Sequence, residues 1–347
     1  MTTTSLPRTE TASRAVVERL VGFACLAPSV HNTQPWRWHY DGEALTLTAD
    51  ESRRLVSSDP RGRNLTISCG AALHHLQFAA HALGYDAEVS LPPIGSDEAH
   101  LARVVVRRAP GRPVVAEDIA LLRTRCTDRR RFTAWPAPDD RLEALCRVAQ
   151  QWGADAAAVL DDAGRIRLEL LANRALTFLE IEEARRIEQE GWIDRERGDG
   201  IPRDLLPDEP DPLQARSRFQ TSLLEDTRLV IHGGDRVIAL GGTTDEHRSW
   251  VRTGQALSAV WLQATRDGMT VVPMSQPIEV ESVRTEIMGA VLGRSFEPHL
   301  LLQVGLQAIG RSELPRTPRR PVEEVLRFEG ARGAGSALAV PAAPQGS

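Results

Sequence analysis

Lysine is absent from this sequence, and all 42 of its basic residues are arginine. Chemistry that needs a lysine amine is therefore excluded: Schiff-base formation, a lysine general base, or the lysine of a phosphate-binding P-loop. No GxGxxG, GxSxG or HExxH pattern occurs. Nothing in the sequence thus predicts a separate dinucleotide site, a serine-hydrolase elbow or a zinc protease.

Paired cysteines and long apolar runs are also missing. Cys25, Cys69, Cys126 and Cys146 are widely spaced and form no CxxC pair. No apolar run approaches the ~20 residues of a membrane-spanning helix, and the first residues have no apolar signal core. We therefore expect a cytoplasmic protein with no membrane partner. A net charge of −5 and a pI of about 6.0 argue against nucleic acid as a partner.

The patterns that are present alternate between helix and strand. A helix is predicted from about Ser13, and Pro28 ends it. Aromatic residues then alternate over 36–40, and a second strand over 44–49 completes a hairpin. Further predicted elements are a long apolar helix at 64–83, a buried strand at 103–108, a helix at 117–125 and a charged helix at 167–190. This order of elements predicts an α+β fold.

The densest run of unusual residues is APSVHNTQPWRWHY, at 27–40. It contains a segment that we call the polar loop, residues 28–34, which is rich in turn-forming and helix-breaking residues. As a plain helix-to-strand connection, its serine and asparagine would cap their own backbone. As a binding site, its hydroxyl, imidazole and carboxamide groups could match the donors and acceptors of a pyrimidine-like ring edge.

Part of the sequence is repeated. Residues 69–93 align with residues 253–277 at an offset of 184, with six identical positions, whereas roughly two are expected by chance. The identities pair Gly70 with Gly254, Ala72 with Ala256, Leu73 with Leu257, Ala80 with Ala264, Gly84 with Gly268 and Pro93 with Pro277. We predict two related halves that meet in a pseudo-twofold arrangement, with core helices at 64–83 and roughly 245–267.

The second copy carries an insert at about 161–227. It includes the charged helix and the stretch GIPRDLLPDEPDPL at 200–213, which is too rich in proline and aspartate to be a core element. Two interpretations fit equally well, a mobile cover over a binding site and a solvated excursion.

Arginine clusters flank the core of the second copy. The stretch LRTRCTDRRRF at 122–132 contains five arginines. Another group follows the last predicted strand: Arg311, Arg316, Arg319 and Arg320. Arginine runs are usually solvated, but guanidinium forks suit a phosphate dianion, and Thr127 adds a hydroxyl. We therefore favour phosphate binding over a solvated face.

These motifs resemble the FMN-dependent nitroreductase superfamily and, within it, the actinobacterial Acg-like proteins, in which two nitroreductase units are fused. The superfamily pattern PSxxNxQPW is matched in full by Pro28, Ser29, Asn32, Gln34, Pro35 and Trp36. Arg125, Thr127 and Arg129 match its RxSxR phosphate motif, with threonine in place of serine. The segment VPMSQPIE at 272–279 is similar to the loop that places a backbone N–H against flavin N5. The resemblance runs from about residue 13 to residue 326.

The resemblance implies one FMN per chain, between the polar loop of the first copy and the arginines of the second. The implied cofactor-binding residues are Pro28, Ser29, Val30, His31, Asn32, Gln34, Arg125, Thr127, Arg129, Ser275, Gln276, Pro277, Arg316 and Arg319. No catalytic side chain is implied, because flavin N5 carries the chemistry. His74, His75 and His81 lack an acidic ligand nearby, so we interpret them as polar neighbours on the core helix and expect no metal.

The implied function is hydride transfer from NAD(P)H, a transient co-substrate, through FMN to a nitroaromatic or quinone-like acceptor. The alternative is a non-catalytic protein that sequesters FMN under the insert. Many relatives place a lysine near the pyrimidine edge of the flavin, and here an arginine or backbone donors must replace it. We expect a monomer or a homodimer of a nitroreductase-like α+β chain, with units at 13–112 and 113–328 between disordered tails at 1–12 and 329–347.

Overall fold

The computed structural model describes residues 11–93, 99–129, 132–193, 195, 198–203, 236–307 and 316–329. The two predicted tails lie almost entirely outside these residues. Most of the proline-rich part of the insert, residue 311, and residues 130 and 131 of the first arginine cluster also lie outside them.

The first half of the chain forms helices on one sheet. Its elements are α1 (Arg14–Ala24), β1 (Trp36–Tyr40), β2 (Leu45–Ala49), α2 (Arg63–Ala82), β3 (Tyr85–Ser90), β4 (His100–Arg108) and α3 (Ala116–Thr124). Alternating burial along β1 places both tryptophans and Tyr40 in the core, and β1 pairs antiparallel with β2, as the predicted hairpin requires. Strand β3 was not predicted from the sequence.

The second half repeats the α-β-β-α-β-β order of the first, with further helices between its strands. It contains α4 (Asp139–Gln151), β5 (Asp155–Val159), α5 (Asp162–Glu180), α6 (Glu183–Glu190), β6 (Arg236–Gly242), α7 (His247–Arg266), β7 (Thr270–Met274), α8 (Gln276–Glu279), α9 (Glu281–Ala290), β8 (Glu297–Gly305), α10 (Val322–Val325) and β9 (Leu326–Phe328). None of the helices in the described ranges is long and apolar enough to cross a membrane.

The two sheets have the same strand order. The first runs β3-β4-β2-β1 and the second β7-β8-β6-β5, so that each strand has a counterpart at the same position. The predicted α+β fold with antiparallel-rich sheets is confirmed. Strand β9 adds to the first sheet, parallel to β1, although it lies at the end of the second half in sequence. The domain limits stay a prediction.

The charged stretch at 167–190 was predicted as one helix and forms two. Helix α5 ends at Glu180, and Glu182 has an extended backbone before α6 begins. The turn redirects α6 so that its side chains reach other elements: the carboxylate of Glu188 accepts hydrogen bonds from the backbone N–H groups of Ser57 and Ser58, at 2.9 and 2.8 Å. No proline or glycine occurs at this break, so we attribute it to the tertiary contacts of α6.

Helices α2 and α7 cross at a pair of glycines that are identical in the sequence repeat. A Cβ atom on Gly70 would lie 3.0 Å from Gly254 Cα and would overlap the Val251 carbonyl oxygen. A Cβ atom on Gly254 would overlap the Ile67 carbonyl oxygen in the same way. Only glycine permits so close an approach of two helix backbones, so the crossing explains why both positions are glycine.

Replacing Gly70 with alanine should therefore destabilise the protein by about 1–3 kcal/mol, the usual cost of overpacking a filled interior. Gly289 in α9 is the control, because a Cβ atom there would meet nothing within 4 Å. Gly289→Ala should be neutral or stabilise by up to ~1 kcal/mol, since alanine favours helix. Urea denaturation followed by circular dichroism measures both, and equal stability of the two variants would contradict the close crossing.

Candidate functional site

The polar loop (residues 28–34) connects α1 to β1 through a strained backbone. His31, Asn32 and Gln34 have φ angles of 47°, 54° and 48°. In the described part of the chain, Arg294 is the one other non-glycine residue with a positive φ. A left-handed backbone costs a non-glycine residue roughly 1–2 kcal/mol. Such strain persists only where surrounding contacts hold it, and it is concentrated at functional sites.

The insert supplies some of these contacts. Asn32 Nδ2 donates to the Gly200 carbonyl at 2.8 Å, and Gln34 Nε2 donates to the Gly198 carbonyl at 3.1 Å. Asp199 lies between the two glycines and is buried. Residues 198–200, which belong to the described part of the insert, therefore pack on the polar loop. This favours the cover over the solvated excursion for that segment.

Helix α6 fixes the insert at a second place. Arg185 Nη1 pairs with Glu279 Oε2 at 2.5 Å, and the exposed fractions of the two side chains are 8% and 5%. Glu279 belongs to α8 and also accepts a hydrogen bond from Asn64 Nδ2 at the start of α2, at 3.1 Å. Glu188 of α6 binds residues 57 and 58, which lie between β2 and α2. Helix α6 therefore links that segment with α8.

Arg125 and Arg319 meet beside the polar loop, although nearly two hundred residues separate them in sequence. Both donate to the carbonyl oxygen of Leu26, through Nη2, at 3.1 Å for Arg125 and 3.5 Å for Arg319. Arg319 Nη1 also donates to Asn32 Oδ1 at 3.0 Å. Arg319 reaches this place because the following strand, β9, pairs with β1. We call Arg125 and Arg319 the arginine pair.

The arginine pair has donors that the protein does not use. Arg125 is 5% exposed and lies over the ring of Trp261, 4.6 Å from its centroid. Within the described part of the chain, Arg125 Nε and Nη1 and Arg319 Nε have no hydrogen-bond partner. Burial, helped by the charge of Arg319, lowers the pKa of Arg125 to about 9, and burial lowers the pKa of Arg319 to about 10. Two buried guanidinium groups with unused donors fit an anion such as a phosphate dianion.

The structure brings most of the other predicted site residues to the same region. In the polar loop, Pro28, Ser29 and Val30 are half-buried and His31, Asn32 and Gln34 are buried. Thr127 is half-buried two positions after Arg125, whereas Arg129 and Arg316 are exposed. The charge of Arg316 contributes to the lowered pKa values of both members of the arginine pair.

The segment 275–277 lies at the other end of this region. Ser275, Gln276 and Pro277 are buried where β7 passes into α8. Helix α2 connects this place with the polar loop: Asn64 binds α8 as described, and one turn further on Ser68 Oγ accepts a hydrogen bond from the N–H of Val30, at 3.2 Å. The first turns of α2 thus lie between the two predicted flavin-contacting segments.

Several residues of the site belong to no sequence motif. Leu26, Ser68 and Trp261 lie among ordinary core or helix-end positions, and no local sequence signal could have singled them out. His74 and His75 were predicted as polar neighbours on the core helix and are buried at its contact with α7, whereas His81 is exposed. Among the described residues, no group of three His, Cys, Asp or Glu side chains could hold a metal ion.

These features define a class of protein: an α+β chain of two halves with one topology and a buried cationic site at their junction. No protein-family model matches the chain. It is 33% identical over 318 residues to a Mycobacterium tuberculosis protein named "Putative NAD(P)H nitroreductase Rv3131", covering 90% of this chain and 91% of that one. It is 32% identical over 320 residues to "Putative NAD(P)H nitroreductase acg" of the same organism, covering 89% and 95%.

The chain therefore belongs to the NAD(P)H nitroreductase family, in its Acg-like branch, as the motifs indicated. A similar solved structure is the FMN-dependent nitroreductase NfnB of Mycobacterium smegmatis in complex with NADPH. It is 15% identical, has a TM-score of 0.38, and covers 60% of this chain and 96% of its own.

Asp199 offers a test of the contact between insert and polar loop. Arg53 Nη1 donates to Asp199 Oδ2 at 2.9 Å, and both side chains are largely buried. Asp199→Asn removes the stronger of the two carboxylates that stabilise the charge of Arg53, the other being Asp50. Breaking a buried pair typically costs 3–5 kcal/mol, so we expect a local loss of up to about that size. Hydrogen–deuterium exchange of the peptide spanning 28–34 should become faster.

The matched control is Asp162→Asn, which removes the partner of Arg165 from an exposed position in α5. Exchange in the polar loop should not change in this variant. Unchanged exchange in Asp199→Asn would mean that the insert does not hold the loop.

Proposed function

We propose that this chain binds one FMN at the junction of its halves and acts as an oxidoreductase that passes reducing equivalents from NAD(P)H to a nitroaromatic or quinone-like acceptor. The observation that carries the proposal is the arginine pair, with its unused donors beside a loop that matches PSxxNxQPW. The relatives' names as NAD(P)H nitroreductases support it.

The charge of each predicted site residue indicates which part of FMN it would contact. The arginine pair would hold the phosphate of FMN, with the Thr127 hydroxyl as a neutral donor and the exposed Arg129 and Arg316 adding positive potential at the entrance. Ser29, His31 and Asn32 are neutral or weakly basic, so they suit the pyrimidine edge of the ring. The ring itself, when bound, supplies the hydride chemistry.

The segment 275–277 would provide backbone N–H groups toward N5 of the ring. Since the chain contains no lysine, the negative charge of a reduced ring must be offset by backbone donors or by arginine. An arginine keeps its charge at any physiological pH and offers several fixed donors, so it can serve this purpose.

A second function, retention of FMN without turnover, is favoured by one specific observation. The side-chain amides of Asn32 and Gln34 already donate to carbonyls of the insert. A ligand on this face would have to share these amide groups with the insert, or it could bind only after the insert had moved away. The two functions thus differ in whether the insert opens to a second molecule.

Anaerobic mixing of the FMN-loaded protein with NADPH separates the two functions. An oxidoreductase should lose its visible flavin absorbance and regain it when a quinone is added. Bleaching in Asp199→Asn but not in the parent chain would support retention under a closed insert. If neither protein bleaches with NADPH or NADH while both hold FMN, the proposed oxidoreductase function is wrong.

Arg125→Met tests the phosphate assignment, because it should affect the stability of the ligand-free protein and the affinity for FMN in opposite directions. Without ligand, the variant should be at least as stable as the parent, because it removes a buried charge that forms no ion pair with the described residues. With FMN, it should bind more weakly by about 1.5–3 kcal/mol, the usual value of a hydrogen bond to a charged group. Thermal melts with and without FMN measure both effects.

Arg123→Met, at an exposed position two residues earlier, is the control. It should leave FMN binding unchanged and lower the stability by at most ~1 kcal/mol, because its guanidinium lies 5.5 Å from the centroid of the Phe23 ring. An Arg125→Met protein that is purified with as much FMN as the parent would contradict the assignment.

A further inference from the structure

The side-chain amide of Asn32 already has partners within the chain. Its Nδ2 donates to the carbonyl oxygens of Gly200, at 2.8 Å, and Pro318, at 3.0 Å. Its Oδ1 accepts a hydrogen bond from Nη1 of Arg319 at 3.0 Å. Two carbonyls beside one amide atom and a guanidinium beside the other fix which atom is nitrogen. Asn32 is 7% exposed, and no donor of its side chain is left for the oxygens of a pyrimidine edge.

Gln34, the second carboxamide of the polar loop, forms a similar bridge without contacting the arginine pair. Its Nε2 donates to the Gly198 carbonyl at 3.1 Å, and its Oε1 accepts from the backbone N–H of Arg320 at 2.8 Å. Both carboxamides therefore join the insert to the segment 317–320, which leads into α10. They differ in that Asn32 holds a guanidinium group, whereas the side chain of Gln34 holds backbone groups only.

The contact with Asn32 anchors one end of the Arg319 guanidinium. Nη1 of Arg319 also donates to the Thr317 and Pro318 carbonyls, at 3.1 and 3.0 Å, and to the Thr317 hydroxyl. The opposite edge is formed by Nε and Nη2. Within the described residues Nε has no hydrogen-bond partner, and Nη2 makes a long contact of 3.5 Å with the Leu26 carbonyl. Two adjacent N–H groups on one guanidinium edge match two oxygens of a phosphate.

We propose that Asn32 is a positioning residue for the FMN phosphate: it holds Nη1 of Arg319, so that the Nε and Nη2 edge faces the anion beside Arg125. In the described part of the chain, the other acceptors of Nη1 lie within two residues of Arg319 and move with it. Asn32 belongs to the first half, so its contact sets the guanidinium relative to the site. In this role Asn32 serves the phosphate and leaves the pyrimidine edge to Ser29 and His31.

The same amide links the phosphate site to the insert. A carboxamide is planar, so its Oδ1 cannot turn with Arg319 unless its Nδ2 turns against Gly200. The backbone adds a second contact, because the N–H of Gly200 donates to the Asn32 carbonyl at 3.3 Å. A phosphate that fixes Arg319 should therefore also stabilise residues 198–200 on the polar loop.

The proposal rests on the proposed function only in taking FMN as the ligand, and its test needs no turnover. Riboflavin lacks the phosphate, so the ratio of the riboflavin and FMN dissociation constants measures the phosphate contacts. Asn32→Gly removes the side chain without adding backbone strain, because φ is 54° here and glycine adopts such angles readily. We expect this variant to lower the preference for FMN by roughly fivefold or more.

A double-mutant cycle separates positioning from a general loss of structure. Arg319→Met should itself lower the preference for FMN. Adding Asn32→Gly to Arg319→Met should then change the preference by less than about twofold, because no guanidinium is left to position. The proposal is overturned if Asn32→Gly keeps the parent's preference for FMN, or if its effect is as large in Arg319→Met as in the parent.

Gln34→Gly is the matched control. Its φ of 48° also suits glycine, and it loses a contact with the insert but none with the arginine pair. It should therefore change the binding of FMN and riboflavin by the same factor. A loss of FMN preference as large as that of Asn32→Gly would overturn the proposal.

A measurement on the unmodified chain covers the case in which these variants do not fold. The chain has three asparagines, Asn32, Asn64 and Asn173, so ¹⁵N-labelled asparagine gives three side-chain amide signals. The Asn32 signal should differ between the FMN-bound and riboflavin-bound protein. The signals of Asn64, which binds α8, and of Asn173, in α5, should be the same with both flavins. Identical spectra with the two flavins would overturn the proposal.

The outcomes also separate this proposal from the proposed function. A chain that shows the phosphate-dependent effect of Asn32 but is not reduced by NAD(P)H would fail as an oxidoreductase while keeping Asn32 in its positioning role. A chain that is reduced, but whose Asn32→Gly variant keeps the preference for FMN, would show the reverse. If Arg319→Met also keeps that preference, the phosphate assignment and the positioning role are both wrong.

Discussion

The crossing of α2 and α7 is the contact on which the rest of the structure depends. At Gly70 and Gly254 the two helix backbones touch without intervening side chains, which brings the halves closer than ordinary ridge-and-groove packing would allow. Each helix then presents its next turns to the same junction. Ser68 of α2 holds the polar loop, and Trp261 of α7 lies under Arg125. A site composed of both halves exists because these helices are so close.

Two groups of charged residues lie at this junction, and they differ in whether their charges are balanced by other residues. Around Asp245, three arginines surround one carboxylate. Burial would raise the pKa of Asp245, but Arg63 and Arg284 hold it well below its usual value. Arg284 also pairs with Glu281 and Glu297, so this cluster holds three carboxylates for its three arginines and is internally compensated. The arginine pair, in contrast, has only carbonyl, amide and hydroxyl partners within the described residues, and its unused donors remain to be compensated by a ligand.

The insert gives the site a closed side. Residues 198 and 200 of the insert bind the polar loop itself, and α6 binds residues 57 and 58, which precede α2. The strained backbone of the loop is thus held partly by a segment that the first half does not contain. In the function we propose, binding of a ring by the loop and access of a second molecule to that ring would depend on the same hydrogen bonds.

The sequence by itself determined most of the local elements of the first half and the class of the protein. Alternation at Trp36, Trp38 and Tyr40 fixes which face of β1 is buried, the offset repeat predicts two core helices, and the loop motif indicates the family. Tertiary structure decided which residues share the site. Arg319 joins Arg125 because a three-residue strand returns to the first sheet, and so short a strand has no periodic signal. His74 and His75 both contact Ser258 of α7, and no pattern within α2 predicts that contact. Periodicity encodes burial along one element, whereas a site depends on contacts between elements far apart in the chain.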